Sequence, residues 1–207
     1  MRIAILGAKR TGKTHLAQEL APLLRSTFAQ VAVIPDAWQA LRDRIGDDPL
    51  NEELWVAANA QMANVLQLPE DTLVLCDTPP LLAAVYSDVM TGDPGLYHQA
   101  IDQHRAFALT LLTGMDLPSD VAGTPSPDTG IRSQIDRRLR QVLVENRIEF
   151  SIVYGSGPTR TQSARQSILR VHGNVPDTPR SNWQWTCEKC SDAACEHQLF
   201  SALISGA

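Results

Sequence analysis

The segment at residues 7–15, GAKRTGKTH, constrains the fold of this chain more than any other, because it directly follows the apolar run RIAIL. Four of its residues fit the G-x-x-x-x-G-K-T pattern of a phosphate-binding loop between a buried strand and a helix. In such a loop, backbone N–H groups surround a triphosphate, the lysine reaches the β and γ phosphates, and the threonine hydroxyl binds Mg²⁺. We predict nucleotide contacts from Gly7, Lys9, Arg10, Thr11, Gly12, Lys13, Thr14 and His15.

Short apolar runs alternate with helical patterns beyond this loop. The runs are QVAVI, TLVLC, ALTLL and EFSIVY. Short buried strands separated by helices are typical of a parallel sheet with helices on both faces. We therefore predict an α/β fold, a three-layer P-loop NTPase sandwich, over residues 1–172, followed by a small appendage at residues 173–207.

Composition and charge exclude several functional classes. The 207 residues suit one α/β domain with an appendage, and no apolar run approaches the roughly 20 residues of a membrane span. In the opening MRIAILGAKR, charged residues follow too soon after the apolar run for a secretory signal, so we expect a cytoplasmic protein without a membrane partner. A net charge of −5 argues against broad nucleic-acid binding, which depends on clustered lysine and arginine.

Two acidic residues follow predicted strands. Asp77 ends the run LVLC, where P-loop proteins place a second Mg²⁺ contact, although it could instead cap the helix that begins after Pro79. Asp36 follows the second run, at the edge of the sheet where both substrates of a kinase meet. It could contact the acceptor hydroxyl, or it could be a helix N-cap after Pro35. Both pairs of interpretations stay open.

The sequence also contains fragments of GTPase motifs. The segment DTPP resembles a switch motif, but Pro80 replaces the glycine whose N–H would meet the γ phosphate. The segment LTGMD resembles a guanine-reading motif, but Gly114 replaces its lysine, which leaves only Thr113 and Asp116. Guanine selectivity is therefore unsupported.

Several segments together resemble the ribosylnicotinamide kinase domain of the bacterial NAD-metabolism regulator family and its stand-alone AAA-like relatives. They are GAKRTGKT, Asp36, CDTPPLLAAVYSDVMTGD, LLTGMDLP and VYGSGPTRTQSA, and the resemblance covers roughly residues 1–170. It implies the kinase strand order 2-3-1-4-5, ATP as donor, and a nucleoside such as nicotinamide riboside as acceptor. It also assigns Lys13, Thr14 and Asp77 to Mg-ATP, and Asp36 to the acceptor.

The chain departs from this family after DLP. The family continues with a tryptophan and then an Asp-Gly before an arginine-bearing lid helix, whereas here Ser119 takes the tryptophan's place and Gly130 follows an insertion. Arginines beyond the insertion could close over the transferring phosphate, or they could form a solvated helix face. These candidates are Arg132, Arg137 and Arg138.

A glycine-rich segment follows the last predicted strand. In the segment YGSGPTR, we predict that Gly157 and Arg160 lie where kinases with this fold hold adenine. A tight turn that carries a surface arginine is the alternative interpretation.

The C-terminal appendage contains a possible metal site. The segment WTCEKCSDAACEH brings Cys187, Cys190, Cys195 and His197 into a C-x-x-C and Cys-x-His arrangement, which predicts a closed, structural Zn²⁺ site. A redox dithiol and plain surface cysteines are the alternatives. Trp183 and Trp185 alternate as if one face of this appendage contacted the core or a protein partner.

These observations favour Mg-ATP-dependent phosphoryl transfer to a small molecule, with Lys13, Asp36, Arg132 and Arg137 as catalytic candidates. A regulatory ATP-binding protein or ATPase, whose appendage docks a partner, is the alternative from another class. A metallochaperone ATPase is a third interpretation.

Overall fold

Five parallel strands form the sheet of the computed structural model, which describes residues 1–45, 51–117 and 129–173. The strands are β1 (Arg2–Leu6), β2 (Val31–Ile34), β3 (Leu73–Asp77), β4 (Leu109–Thr113) and β5 (Phe150–Val153). Their order across the sheet is β2-β3-β1-β4-β5. This order confirms the α/β class and the kinase strand order that the resemblance implies.

Helices cover both faces of the sheet. In the described residues they are α1 (Lys13–Leu24), α2 (Ala37–Ile45), α3 (Asn51–Gln67), α4 (Pro80–Thr91), α5 (Tyr97–His104), α6 (Thr129–Glu145) and α7 (Gly157–Val171). Strands β3 and β4 are buried along their whole length, because helices shield them on both sides.

Alternation along β1 divides the core into two layers. Ile3 and Ile5 point to the face that α1 and α7 cover, where they join a cluster with Leu20 and Ile168. Leu6 belongs to the opposite cluster, together with side chains of α4 and α6. Successive side chains of a strand point to opposite faces, so an entirely apolar strand fits only between two helical layers.

The carboxyl ends of the strands carry the candidate functional residues. The phosphate-binding loop joins β1 to α1, Asp36 lies between β2 and α2, and Asp77 ends β3. Because β2, β3 and β1 are parallel neighbours, these residues meet at one edge of the sheet. The predicted boundary between residues 172 and 173 stays a prediction.

Candidate nucleotide and acceptor site

The phosphate-binding loop adopts the backbone conformation that its glycines permit. Gly7 has a φ of +149° and Gly12 a φ of +73°, and Arg10 at the tip also has a positive φ, of +62°. A Cβ atom on Gly7 would lie 2.0 Å from Thr113 Oγ1. Glycine is therefore required at position 7 by close packing as well as by backbone conformation.

Two threonine side chains brace this loop from inside the protein. Thr113 Oγ1 donates to the carbonyl oxygen of Leu6 at 3.0 Å, and Thr11 Oγ1 donates to that of Ala8 at 2.8 Å. The two hydroxyl oxygens are 2.6 Å apart. The side chain of Thr11, a predicted nucleotide contact, thus faces the protein. Thr113, in the sequence a remnant of a guanine motif, supports the loop.

Lys13 lies at the centre of the site and is only 8% exposed. Its Nζ donates to the carbonyl oxygen of Ala8 at 3.1 Å. Burial lowers the pKa of the Lys13 ammonium, while the neighbouring carboxylates of Asp36 and Asp77 oppose that shift. The buried cation therefore lies near two acids, where electrostatic interactions are stronger than in bulk water.

Asp77 accepts hydrogen bonds from hydroxyl groups on both of its carboxylate oxygens. Thr14 Oγ1 donates to Oδ2 at 2.5 Å, and Thr78 Oγ1 donates to Oδ1 at 3.1 Å. A carboxylate beside a hydroxyl is an oxygen donor set of the kind that Mg²⁺ uses in nucleotide sites. Thr14 and Asp77, the predicted Mg²⁺ ligands, are thus adjacent, and their chemistry fits that ion.

Thr78 has an unusual backbone conformation beside this acid. Its φ is +59°, a value that β-branched residues rarely adopt, and its N–H donates to the carbonyl oxygen of Ile5 at 3.0 Å. Such strained residues persist only where the surrounding structure determines them, and they cluster at functional sites.

Asp36 is both a helix N-cap and part of a cavity, so it has the features of both interpretations that the sequence left open. Its Oδ1 accepts a hydrogen bond from the N–H of Trp38 at 2.8 Å, so it caps α2. It also lines a cavity of 60 Å³ together with Lys13 and Thr78. Burial raises the pKa of the Asp36 carboxyl, the charge of Lys13 opposes that shift, and Asp77 adds to it. The cap therefore holds the carboxyl beside the lysine.

Aromatic side chains form another wall of this cavity. Trp38 and Tyr86 pack edge to face, with ring centroids 4.6 Å apart and planes at 80°. Both line the cavity, and Lys9 borders it. Sequence reasoning missed Trp38. Its position two residues after Asp36, in the first turn of the next predicted helix, is the feature that could have indicated it.

Two of the predicted arginines contact the phosphate-binding loop. Arg132 Nε donates to the carbonyl oxygen of Lys9 at 2.9 Å, from the first turns of α6. A terminal nitrogen of Arg160 donates to the carbonyl oxygen of Thr11 at 2.6 Å, from the start of α7. Both side chains are buried, so the interpretation of either as a surface arginine is wrong.

Two other lid candidates lie away from the loop. Arg137 is exposed on α6, about 140° around the helix from Arg132 at 100° per residue. Arg138 Nε donates to Asp88 Oδ2 at 2.6 Å, and its guanidinium lies over the Tyr97 ring, 5.1 Å from the centroid. Arg138 therefore joins α6 to α4 and α5 instead of facing a phosphate.

His15 and Gly157 are two further predicted nucleotide contacts. His15 is exposed, and its Nδ1 lies 3.4 Å from Glu19 Oε2. Gly157 begins α7 with a φ of +59°. Gly155, just before it, donates its N–H to Asp116, so the aspartate of the guanine-like motif is engaged by backbone.

Gln61 is a further residue that sequence reasoning missed. Its amide nitrogen donates to the carbonyl oxygens of Pro35 and Asp77, at 2.7 Å each. These carbonyls belong to the residue before one candidate acid and to the other acid itself. A glutamine in the middle of a long helix gives no indication of this role in the sequence.

Other predictions fall partly or wholly outside the described residues. The predicted zinc ligands Cys187, Cys190, Cys195 and His197 lie beyond residue 173. Within the described ranges, no group of three or more histidine, cysteine or acidic residues is arranged to hold a metal ion. No helix in those ranges is long and apolar enough to cross a membrane.

Known proteins share this sequence pattern and fold. The AAA domain pattern matches residues 2–160. The chain belongs to the AAA domain family. No curated protein matches this AAA domain protein significantly in sequence.

Solved structures share its fold at low sequence identity. NadR in complex with NAD and AMP-PNP, and NadR in complex with NR, match with TM-scores of 0.61 and 0.64 at 16% and 17% identity. They align with 85% and 84% of this AAA domain protein, which spans only 50% and 52% of those chains. Thymidylate kinase from Ehrlichia chaffeensis matches with a TM-score of 0.60 at 13% identity, over 83% of this chain and 98% of its own. The predicted resemblance is confirmed at the level of the fold.

Proposed function

We propose that this protein transfers the γ-phosphoryl group of ATP to a hydroxyl group of a small molecule, with a nucleoside such as nicotinamide riboside as the candidate acceptor. The observation that carries the proposal is that Lys13 and Asp36 line the same cavity at the carboxyl end of the sheet. Direct transfer requires a phosphate-binding cation and an acceptor-binding acid to face one space, because the reaction depends chiefly on positioning.

Each of these two residues has a distinct role in the proposal. Lys13 binds the β and γ phosphates and stabilises the charge that develops on the transferred group. Asp36 orients the acceptor hydroxyl and accepts its proton. The raised pKa of Asp36 supports this role, since a carboxylate with a pKa nearer to neutral takes up a proton more effectively.

Thr14 and Asp77 would hold Mg²⁺, and their direct hydrogen bond supports this assignment. When bound, Mg²⁺ neutralises negative charge on the phosphates. Thr78 keeps the Asp77 carboxylate in place through its hydroxyl group.

The arginines on the loop complete the proposed donor site. Arg132 brings positive charge beside Lys9, where it would stabilise the transferring phosphate. Arg160 contacts the far side of the loop, and with Gly157 it would border the adenine end of the nucleotide. The exposed Arg137 has no part in this mechanism.

The acceptor cavity favours a small molecule with a flat ring. Trp38 and Tyr86 supply aromatic surface, and Asp36 supplies a hydroxyl-binding group. The cavity of 60 Å³ is smaller than the roughly 300–1,000 Å³ of typical ligand pockets. Acceptor binding therefore requires the cavity to widen.

The test is incubation of the protein with Mg-ATP and a panel of nucleosides and vitamins. ADP release and acceptor phosphorylation are measured together. We expect one acceptor class to become phosphorylated in step with ADP release, and Lys13→Ala to abolish both. Absent turnover, or turnover independent of every acceptor, would count against the kinase.

A regulatory ATP-binding protein or slow ATPase is the second candidate. It is favoured by the hydrogen bond between Asp36 and the N–H of Trp38, because capping of α2 alone could explain why position 36 is an aspartate. In that case Asp36→Asn, which keeps the cap, leaves acceptor-independent ATP hydrolysis at the wild-type rate.

A further inference from the structure

Gln61 connects the ends of two strands that carry the candidate acids. It lies on α3, is only 4% exposed, and uses its amide nitrogen to donate to the carbonyl oxygens of Pro35 and Asp77 at 2.7 Å each. Both neighbours are carbonyl oxygens, which only accept hydrogen bonds, so the group facing them is the NH₂ group.

The strand pairing explains why such a connection is needed. Strands β2 and β3 pair in parallel register as far as Ile34 and Cys76. The residue after β2 is Pro35, which has no N–H and cannot continue the ladder. Asp77 is the last residue of β3 and still pairs with Ile5 of β1, but Asp36 lies beyond the ladder, so the sheet's own hydrogen bonds do not fix the position of Asp36 relative to Asp77. The Gln61 amide bridges the gap instead.

The carbonyl oxygen of the Gln61 side chain supports the interpretation that the amide bridges the two strand ends. Gln61 Oε1 is buried and has no hydrogen-bond partner among the described residues. An unpaired buried carbonyl is unfavourable, so an apolar residue would fill the space better if packing were the only requirement. The two donated hydrogen bonds are what distinguishes glutamine from such a residue.

We propose that Gln61 is a positioning residue that fixes the separation of Asp36 and Asp77 close to Lys13. The inference rests on the proposed function, in which one acid serves the acceptor and the other serves Mg²⁺. Gln61 does not line the cavity that Lys13 and Asp36 share. It acts through the backbone of the strand ends, so its loss changes the distance between the two carboxyl groups.

The test compares Gln61→Met with Gln103→Met. Methionine matches glutamine in length and flexibility but donates no hydrogen bond. Gln103 is a matched control, because its amide donates to Asn59 on the same helix α3 and not to a strand end. For Gln61→Met we expect kcat to fall on the order of 100-fold, as for other misplacements of about 1 Å, with the KM for ATP nearly unchanged.

A binding measurement separates positioning from activity. The affinity for AMP-PNP is titrated at several Mg²⁺ concentrations. We expect Gln61→Met to need about 10- to 100-fold more Mg²⁺ for half-maximal binding, as when a residue that supports a metal ligand is lost. Gln103→Met should follow the wild type in this titration and in kcat.

The outcomes distinguish this inference from the proposed function. If the wild type phosphorylates no acceptor but the Mg²⁺ dependence shifts as expected, the function fails and the positioning role stands. If both methionine variants behave alike in kcat and Mg²⁺ dependence, the positioning role is overturned. Should Gln61→Met not fold, Gln61→Asn retains one amide but cannot reach both carbonyls, and wild-type Mg²⁺ dependence in that variant overturns the inference as well.

Discussion

Thr14 Oγ1 donates a hydrogen bond of 2.5 Å to Asp77 Oδ2, although the two residues lie 63 positions apart in the chain. The bond joins the first turn of α1, which follows the phosphate-binding loop, to the end of β3. The hydroxyl and the carboxylate are therefore adjacent in the folded chain.

We expect Thr14→Val to weaken Mg²⁺-dependent nucleotide binding about 10- to 100-fold, because the variant removes the hydroxyl that we propose as a Mg²⁺ ligand without changing side-chain shape. Thr14→Ser should retain most of the affinity. Calorimetric titration with AMP-PNP, with and without Mg²⁺, checks both. Equal loss in the two variants would indicate a steric effect of the methyl group instead.

Asp36→Asn should leave nucleotide affinity intact and lower kcat for acceptor phosphorylation on the order of 10²- to 10⁴-fold, the usual contribution of a general base. The asparagine side chain can still cap α2, so stability should change little. Burial raises the pKa of Asp36, and only the carboxylate accepts a proton. The acid limb of the wild-type kcat profile should therefore rise at a higher pH than an ordinary aspartate would give. A profile without that limb contradicts the assignment.

Thr113→Val should loosen the phosphate-binding loop. It leaves the buried carbonyl oxygen of Leu6 without its donor, which costs about 1–3 kcal/mol of the free energy of unfolding. Thr113→Ser keeps the hydroxyl and should recover most of that stability. Urea denaturation and AMP-PNP titration are the measurements. A valine variant with wild-type stability and affinity would show that the brace is dispensable.

His104 should make the fold sensitive to mild acid. Its Nε2 lies 2.8 Å from Thr110 Oγ1, its Nδ1 has no partner among the described residues, and burial lowers its pKa to about 4. The unfolded chain, with a histidine pKa of about 6.5, binds the proton first as the pH falls. Stability from this group is thus present above pH 6.5 and is lost as the pH falls toward 4, with a loss of about 2 kcal/mol between pH 7 and 5.

Denaturant unfolding at several pH values checks the prediction for His104. His104→Gln, which cannot titrate, should flatten this part of the stability curve even if it lowers the curve overall. An unchanged slope in the variant would assign the acid sensitivity to other groups.

The zinc site predicted from the sequence is tested by metal analysis of the purified protein. We expect one zinc per chain, and loss of the metal in the Cys187→Ser/Cys190→Ser double variant, because a closed zinc shell needs four ligands. Zinc-free wild-type protein would contradict the prediction. A zinc content that depends on loading with an excess of metal would favour the metallochaperone interpretation.

The strand order could be predicted only through the resemblance to a kinase family, whereas the loop residues and Asp77 could be located from local patterns. The glycines, Lys13 and Thr14 have fixed spacing, and Asp77 follows directly from the end of a buried strand. The bracing of the loop by Thr113 and the bridge made by Gln61 could not be predicted from the sequence, since each depends on a contact between distant segments. These contacts exist only after the strands are arranged in the sheet.

Helical geometry separates two of the candidate lid arginines. Arg132 and Arg137 are five residues apart on one helix, and this spacing cannot place both side chains on the same face. Which of them faces the loop depends on how α6 packs on α4. The sequence alone therefore indicates that Arg132 and Arg137 do not both face the loop, but it does not indicate which of them does.

The two arginine contacts on the phosphate-binding loop affect the order in which the site can assemble. The bond from Arg132 to Lys9 spans 123 residues, and the bond from Arg160 to Thr11 spans 149. On the ribosome, the loop emerges early, but these partners emerge only when most of this domain has been synthesised. Nascent chains therefore acquire a complete nucleotide site late, and until then the strand and helix around the loop are exposed to chaperones without a bound ligand to stabilise them.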